Sequence, residues 1–569
     1  MPENTHSPRD SLGSTLGSGG SQLNLNADDP AIPRKSQHNL ASATGGNPDE
    51  PHSGLPEKDR TSTIPESLRK SALVDDQASL PPKEQDIIVV DWDGPDDPEN
   101  PKNWPEKKKW ASAVSVSLFT FISPLASSMI TPAIFQVAED LHITSSIQIS
   151  LTISIYILAY AVGPLVLGPL SEIYGRSRLL QLANLIFLIF NLVCGFAKTK
   201  GQLIAFRFLS GIGGSAPLSV GGGVLSDMWN ADKRGRAVGI YSLAPLLGPA
   251  IAPVVGGWIA EKSTWHWVFY SVSIADAVVQ LIGMRYLSET YAPVLLQWKA
   301  DKIRKELAGD TEKGDPRLVK TVYEIQKGEI RMKEFLIQSL CRPFALFFQE
   351  PIIQLFGIYL AFVYGTVYLL LTTIPTVFTD VYHEKIGIAG LHYISLGLGL
   401  TVSAQIGSRA LDRVYRRYKA KNNGVGKPEY RLPPAIVGTS FLPVGLLMTG
   451  WSAQEHVHWI VTDIGFAFVG VGSASAFQCL NAYIIDSFPR YAASALASVT
   501  CLRSLAGFGF PLFAPYMYKA LGFGKGDTIL AAFCLVVGSP ALILFWIYGE
   551  RIRGMSRRAT TAPPAIPKA

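Results

Sequence analysis

Apolar and polar positions in this 569-residue chain are segregated into long blocks rather than mixed. Charges crowd the first 110 residues, the stretch 299–350, the stretch 409–431 and the C-terminal end, and the segments between them carry almost none. A helix that crosses a bilayer needs about 20 largely apolar residues. Blocks of that kind fall near 110–130, 147–169, 179–196, 203–227, 236–259 and 265–286, and again near 351–378, 388–408, 432–451, 458–486, 491–515 and 528–548. The pattern predicts an all-α membrane protein of twelve transmembrane helices in two pseudo-symmetric six-helix bundles. Asp276 and Asp463 interrupt the sixth and tenth blocks, which leaves eleven as the alternative count.

The blocks divide the chain. Residues 1–105 are expected to be a disordered cytoplasmic tail, since the first hundred hold eight Lys/Arg against eighteen Asp/Glu, are rich in Ser, Pro, Gly and Asn, and show no apolar period. Residues 106–287 form the first bundle, 288–350 a cytoplasmic central loop, 351–549 the second bundle and 550–569 a second tail. The polar start has no signal-peptide pattern, so the first apolar helix is expected to do the targeting. With an inside N-terminus, the loops on that side carry fourteen Lys/Arg, among them Arg176, Arg178, Lys233 and Arg490, against six on the other. The positive-inside rule then puts both termini in the cytoplasm.

Composition agrees: 48% of residues are hydrophobic and 17% charged, against roughly 25% charged in a soluble domain. The net charge of +6 is spread along the flanks of apolar spans, so it does not point to nucleic acid. The five cysteines lack metal or redox spacing and read as buried thiols.

The two halves echo each other. Asp227-Met-Trp229 closes the fourth span and Asp486-Ser-Phe488 the tenth. Glu172-Ile-Tyr174-Gly-Arg176 has a weaker counterpart in Asp412-Arg-Val-Tyr415-Arg416, so gating is expected to lean on the first half. Duplicated units with substrate held between them are a recurrent transporter plan.

Three constellations carry chemistry. The first runs from Gly168 through Glu172, Gly175 and Arg176 to Arg178. Gly175 permits a tight turn, and Glu172 with Arg176 sets opposite charges at the membrane edge, within reach of helix ends and of Asp227. A bridge made in one state and broken in another is a gate; the bland alternative is a topogenic basic loop. The second is Arg207, near the outer end of the fourth span, where an arginine at membrane depth faces protein or water; the bland alternative is that it snorkels to the outer headgroups. Gly211, Ser215, Ser219 and Gly223 follow it at every fourth position. The third is the run Ala244, Gly248, Ala252, Gly256, a small-residue stripe that admits a second backbone. Pro245, Pro249 and Pro253 recur beside it, with Gly257 at its end, and should bend the helix.

With these residues the chain resembles the major facilitator superfamily, in particular the fungal twelve-span drug:proton antiporter branch. The Gly168–Arg178 segment is similar to the signature between spans two and three, with Glu172 where Asp is usual. Arg207 with Gly211 resembles the span-four signature, and Gly248-Pro249 to Gly256-Gly257 the antiporter signature of span five. Trp265-His-Trp267, Glu289-Thr-Tyr291-Ala-Pro293, Tyr491-Ala-Ala-Ser-Ala495 and Asp91 to Trp104 are also similar to fungal members. The resemblance covers about 86–550. It implies a major facilitator fold and alternating access driven by the proton gradient, with no cofactor. Arg207 is then the proton-coupling residue, paired with an intramembrane carboxylate for which Asp276 and Asp463 are the candidates. The implied function is export of small organic molecules such as drugs, toxins or secondary metabolites.

Tyr359, Tyr364 and Tyr368 in span seven, with Phe477, Gln478 and Asn481 in span ten, are candidates to line a cavity for an amphipathic ligand. Ordinary helix packing explains them equally well. Gly211-Ile-Gly213-Gly214 lacks the preceding strand of a nucleotide loop, and His456 and His458 read as interfacial rather than metal ligands. No catalytic pair at membrane depth points to an enzyme. The expected partners are a small-molecule substrate, protons and the lipid bilayer, with no nucleic acid, and the expected form is a monomer in the plasma membrane or, alternatively, the vacuolar membrane. An importer of a sugar, polyamine or organic acid on the same fold is the rival function.

Overall fold

Lipid offers backbone groups no hydrogen bonds, so an apolar block satisfies its own amides as a helix. In the computed structural model, which describes residues 87–230, 233, 235–308, 319–327, 332–489 and 491–556, the first half contains six such helices. They are α1 (Glu106–Ser128), α2 (Ser146–Tyr174), α3 (Arg176–Cys194), α4 (Lys200–Met228), α5 (Gly235–Lys262) and α6 (His266–Tyr286). The second half contains α7 (Pro351–Thr376), α8 (Tyr393–Lys421), α9 (Pro428–Gln454) and α10 (Trp459–Ser487). A last apolar stretch, Ala492–Met555, is helical almost throughout, but Gly522 breaks it with a φ of 77° and a ψ of 170°. The chain reverses there, giving α11 (492–521) and α12 (523–555). The traverses number twelve, and Asp276 and Asp463 both lie inside helices.

Because the helices alternate in direction, Glu106, Tyr286, Pro351 and Met555 all lie at one end of the bundle, here called the base; the other end is the crown. α2 packs along α11, and α5 along α8 and the short helix Ile386–Leu391 before it, so these pairs join the two halves. Large apolar side chains such as Leu281, Val437 and Ile406 are 61–66% exposed on the outer surface. In water that would be costly; against lipid tails it is the expected state.

Several expectations need correction. Residues 1–86 lie outside the described residues, but 87–105 are ordered rather than tail. Ile88–Val90 pairs in parallel with Val319–Thr321, in the register Ile88 to Val319 and Val90 to Thr321. Val90, Val319 and Ala300 form a small core beneath the pairing. Asp97 holds the turn that follows, accepting from the Asp93 and Glu99 amides at 2.9 and 2.8 Å, while Lys299 reaches Asp93 at 2.6 Å. The central segment is likewise more than a loop: it folds into helices Ala292–Ala308 and Met332–Gln349. The final helix also runs past residue 549 to Met555, because Arg553 is buried against Glu429. Of the five cysteines, Cys194, Cys479 and Cys534 are buried, Cys501 is half-buried and Cys341 exposed; none is in a disulfide.

Candidate functional site

At the base of the first half the chain turns from α2 into α3 through Gly175, whose φ of 99° lies in the region that favours glycine. A Cβ there would also strike the Glu289 carboxylate. Glu289, 7% exposed, follows α6 and caps α3: the Arg176 and Ser177 amides donate to its two oxygens at 2.9 and 3.0 Å. The Thr290 and Tyr291 amides donate to it as well, at 3.0 and 2.9 Å. The positive end of the α3 dipole favours that carboxylate. With its backbone so fixed, Arg176 reaches Asp227 at the end of α4, Nε to Oδ2 at 3.4 Å, and Ser171 at 2.7 Å. Thr290 also donates to Asp227, at 3.3 Å, and the Tyr291 ring lies 4.7 Å from the guanidinium. Burial, and then the nearby Glu172 charge, push the Tyr291 hydroxyl up to about 12, so it stays neutral.

Glu172 is exposed and outside this ion pair, Gly168 borders open space, and Arg178 lies over Trp298 at 4.5 Å. Of the sequence candidates, the structure brings Gly175, Arg176 and Asp227 together and leaves Glu172 aside. Glu289, which the sequence marks only within a segment similar to fungal members and gives no part in the gate, lies 113 residues from Arg176.

The second half is not degenerate. Arg431, just before the helical body of α9, binds Asp486 at the end of α10 at 2.9 Å and Asp412 at 3.3 Å, with the Tyr415 ring 4.1 Å away. This repeats Arg176 with Asp227 in position and chemistry. The arginine follows the bend at Asn422–Gly426, beyond the expected motif, and Arg416 contributes only a bond to the Asp412 carbonyl. Deeper, Arg553 holds Glu429 at 2.8 Å with both side chains buried.

At mid-depth, aromatic rings from both halves meet. Arg207 on α4 is 1% exposed and donates to the Ser127 and Ile153 carbonyls of α1 and α2, at 3.0 and 3.3 Å, between the Tyr156 and Phe269 rings. Among the described residues no carboxylate lies within 4.0 Å of it. Asp276 on α6 is fully buried; Asn184 donates to one oxygen at 3.0 Å and the other has no partner. Asp463 is distant in kind: it belongs to the second half, at the crown, where His392 lies between it (2.9 Å) and Glu384 (2.8 Å). Ser123 links the Tyr156 and Tyr160 hydroxyls at 3.0 and 2.6 Å.

From the other half, Tyr364 packs on Tyr368 and Phe477, at 4.8 and 5.8 Å between ring centres. Arg503 of α11 stands over Tyr364 and Phe477 at 5.2 and 5.6 Å. Two of the remaining cavity candidates are engaged elsewhere. Tyr359 packs on Gly538 of α12, and Gln478 donates to the Ala404 carbonyl of α8 at 2.8 Å; Asn481 is half-buried. Five residues turn a helix by about 500°, so Tyr359 faces away from Tyr364, whereas Tyr368 stays with it.

The α5 stripe is a contact surface on two sides. A Cβ on Gly248 would come within 3.0 Å of the Leu125 amide of α1, and one on Gly256 would strike the Met129 carbonyl. Gly257 faces the other half, where a Cβ would sit 3.0 Å from the Ile386 carbonyl. The helix continues through Pro245, Pro249 and Pro253. At its crown end Glu261 accepts from the Gly387 amide at 3.0 Å, a polar tie between halves.

The profile of the Major Facilitator Superfamily matches residues 116–511. The chain is 46% identical to efflux pump vrtL of Penicillium aethiopicum over 86% of its own length and 94% of that protein's. It is 40% identical to efflux pump radE of Floropilus chiversii, over 84% and 88% of the two lengths, and 40% identical to MFS-type transporter penM of Penicillium rubens, over 83% and 90%. Among solved structures, the xylose transporter XylE from E. coli, in a partially occluded inward-open conformation, aligns with a TM-score of 0.55. That match has 14% identity and covers 78% of this chain and 98% of the other.

Proposed function

The chain belongs to the major facilitator superfamily, a multi-pass membrane transporter of small molecules, and from that premise we propose that it is a proton-driven exporter. The observation that carries the direction is its end-to-end likeness to proteins named efflux pumps. The base faces the cytoplasm, as the distribution of lysine and arginine requires. Its place is the plasma membrane, it acts as a monomer, and it needs no cofactor because the gradient supplies the energy.

Arg207 and Asp276 are the coupling groups in this reading. Both are buried in the first bundle, and Asp276 lies seven residues, about 10 Å, along α6 from the Phe269 ring that flanks Arg207. A buried carboxylate with a free oxygen can take and release a proton. Asp463 is the weaker candidate, since it belongs to the second half, whereas Arg207 and Asp276 share the first, and its bonded oxygen is held by His392, which also binds Glu384. Arg176 with Asp227 and Arg431 with Asp486 each brace the base of one half, so that the halves can rock as units, and Glu261 with Gly387 ties the halves at the crown.

The test is efflux from proteoliposomes with and without an imposed pH gradient. Arg207→Ala and Asp276→Asn should each abolish the response to the gradient. An Asp276→Asn protein that answers the gradient as wild type does removes Asp276 from the coupling role.

A further inference from the structure

Arginine at mid-membrane depth is costly unless something uses its charge. Arg503 lies about eleven residues into α11, some 16 Å from the base end of that helix. Its Nε–H is buried without a hydrogen-bond partner, and among the described residues no carboxylate lies within 4.0 Å of it. Its recorded contacts are the faces of Tyr364 and Phe477. Arg207 shares the unpartnered Nε but is sealed in, and its Nη2 donates to two main-chain carbonyls. Arg503 is only half-buried. It therefore keeps a free donor edge at the seam between halves, where a Cβ on Gly507, one turn on, would touch both Tyr364 and Ile157 of α2.

We infer that Arg503 is the anchor for an acidic group on the cargo, so that the transported molecules are planar, largely apolar acids carrying a carboxylate. This rests on the reading of the chain as an exporter. The guanidinium fork matches a carboxylate with two parallel N–H donors. The rings of Tyr364, Tyr368 and Phe477 supply stacking area for an aromatic body. A cationic cargo is disfavoured, because Arg503 already occupies the ring faces that would attract it and repels a second positive charge. A neutral cargo leaves the guanidinium unpaired in a low-dielectric site, so it loses to the acid.

The test compares anthraquinone-2-carboxylate with anthraquinone-2-carboxamide, which share a shape and differ in charge. Binding is measured by titration calorimetry on the purified full-length protein at neutral pH. Wild type should bind the acid about tenfold or more tightly than the amide, the difference expected of one charge-assisted contact. Arg503→Gln should bring the ratio to about one, and Arg503→Lys should keep part of it. Should Arg503→Gln fail to fold, phenylglyoxal labelling of wild type read by mass spectrometry replaces it: the acid should shield Arg503 and the amide should not. Equal affinity of wild type for the two probes, a ratio unchanged in Arg503→Gln, or equal shielding overturns the assignment. Gradient-driven efflux of the cationic dye rhodamine 6G, untouched by Arg503→Gln and accompanied by no acid preference, overturns the cargo class and leaves the exporter reading standing. Selective acid binding through Arg503 without gradient-driven transport does the reverse.

Discussion

Glu289 offers the sharpest quantitative test of how the base is built. Its two oxygens accept from four backbone amides, and the Arg176 and Ser177 bonds join the segment after α6 to the start of α3. Glu289→Gln keeps the shape but leaves a single acceptor oxygen. If that oxygen keeps the three amides now held by Oε1, the new NH2 faces the Ser177 N–H, donor against donor. The loss is one bond to a charged acceptor, about 1.5–3 kcal/mol, plus about 0.3–1 kcal/mol of interaction with the α3 dipole. A total of roughly 2–4 kcal/mol, at about 2–4 °C per kcal/mol for a unit the size of the first bundle, predicts a midpoint lower by about 4–16 °C. The assay is thermal unfolding of detergent-purified protein followed by tryptophan fluorescence. Glu289→Ala should fall further, because it leaves four amides unsatisfied. A Glu289→Gln midpoint within about a degree of wild type would falsify the capping account.

Other consequences are as direct. Gly256→Leu should abolish efflux while the protein still reaches the membrane, since the side chain drives α5 off the Met129 carbonyl of α1; wild-type efflux per molecule at the surface refutes it. Paired single and double substitutions at Arg431 and Asp486 should show a coupling comparable to that at Arg176 and Asp227, of order 0.5–3 kcal/mol in unfolding; no coupling in the second half means its ion pair does not act. Asp97→Asn should raise amide exchange at residues 88–90, with transport retained. The amides of Asp93 and Glu99 hold the Asp97 carboxyl below its usual range, so in wild type its contribution is present above about pH 4 and is lost only as pH falls through that lowered value; a wild type whose protection at 88–90, corrected for intrinsic exchange, already declines between about pH 7 and 5 contradicts this.

The spans were legible because lipid demands a long apolar run, a constraint readable from one residue after another. Arg207 and the Gly248–Gly257 stripe were legible for the related reason that charge and small size stand out inside such a run. What the sequence hid was pairing over distance. Glu289 meets Arg176 across four helices, and Arg431 replaces the expected Arg416 because a bend at Asn422–Gly426 intervenes. Facing was also hidden: Tyr359, Tyr364 and Tyr368 look alike along the chain, but the helical turn separates the first from the others. Arg503 did carry a signal, an arginine well inside an apolar span, and the same depth argument that singled out Arg207 applies to it.

The small parallel sheet has a bearing on biosynthesis. Ile88–Val90 leaves the ribosome early, but its partner Val319–Thr321 follows some 230 residues later. At about 5–20 residues per second that is a wait of roughly 10–50 s. During that interval all six helices of the first bundle are made, and the strand can close only when they have brought residue 319 back beside residue 88. The pairing thus acts as a completion mark on the first half: a nascent chain with a helix missing or inverted cannot form it. Such a chain would keep Val90 and the backbone edge of the strand uncovered, the kind of signal that quality-control machinery can read.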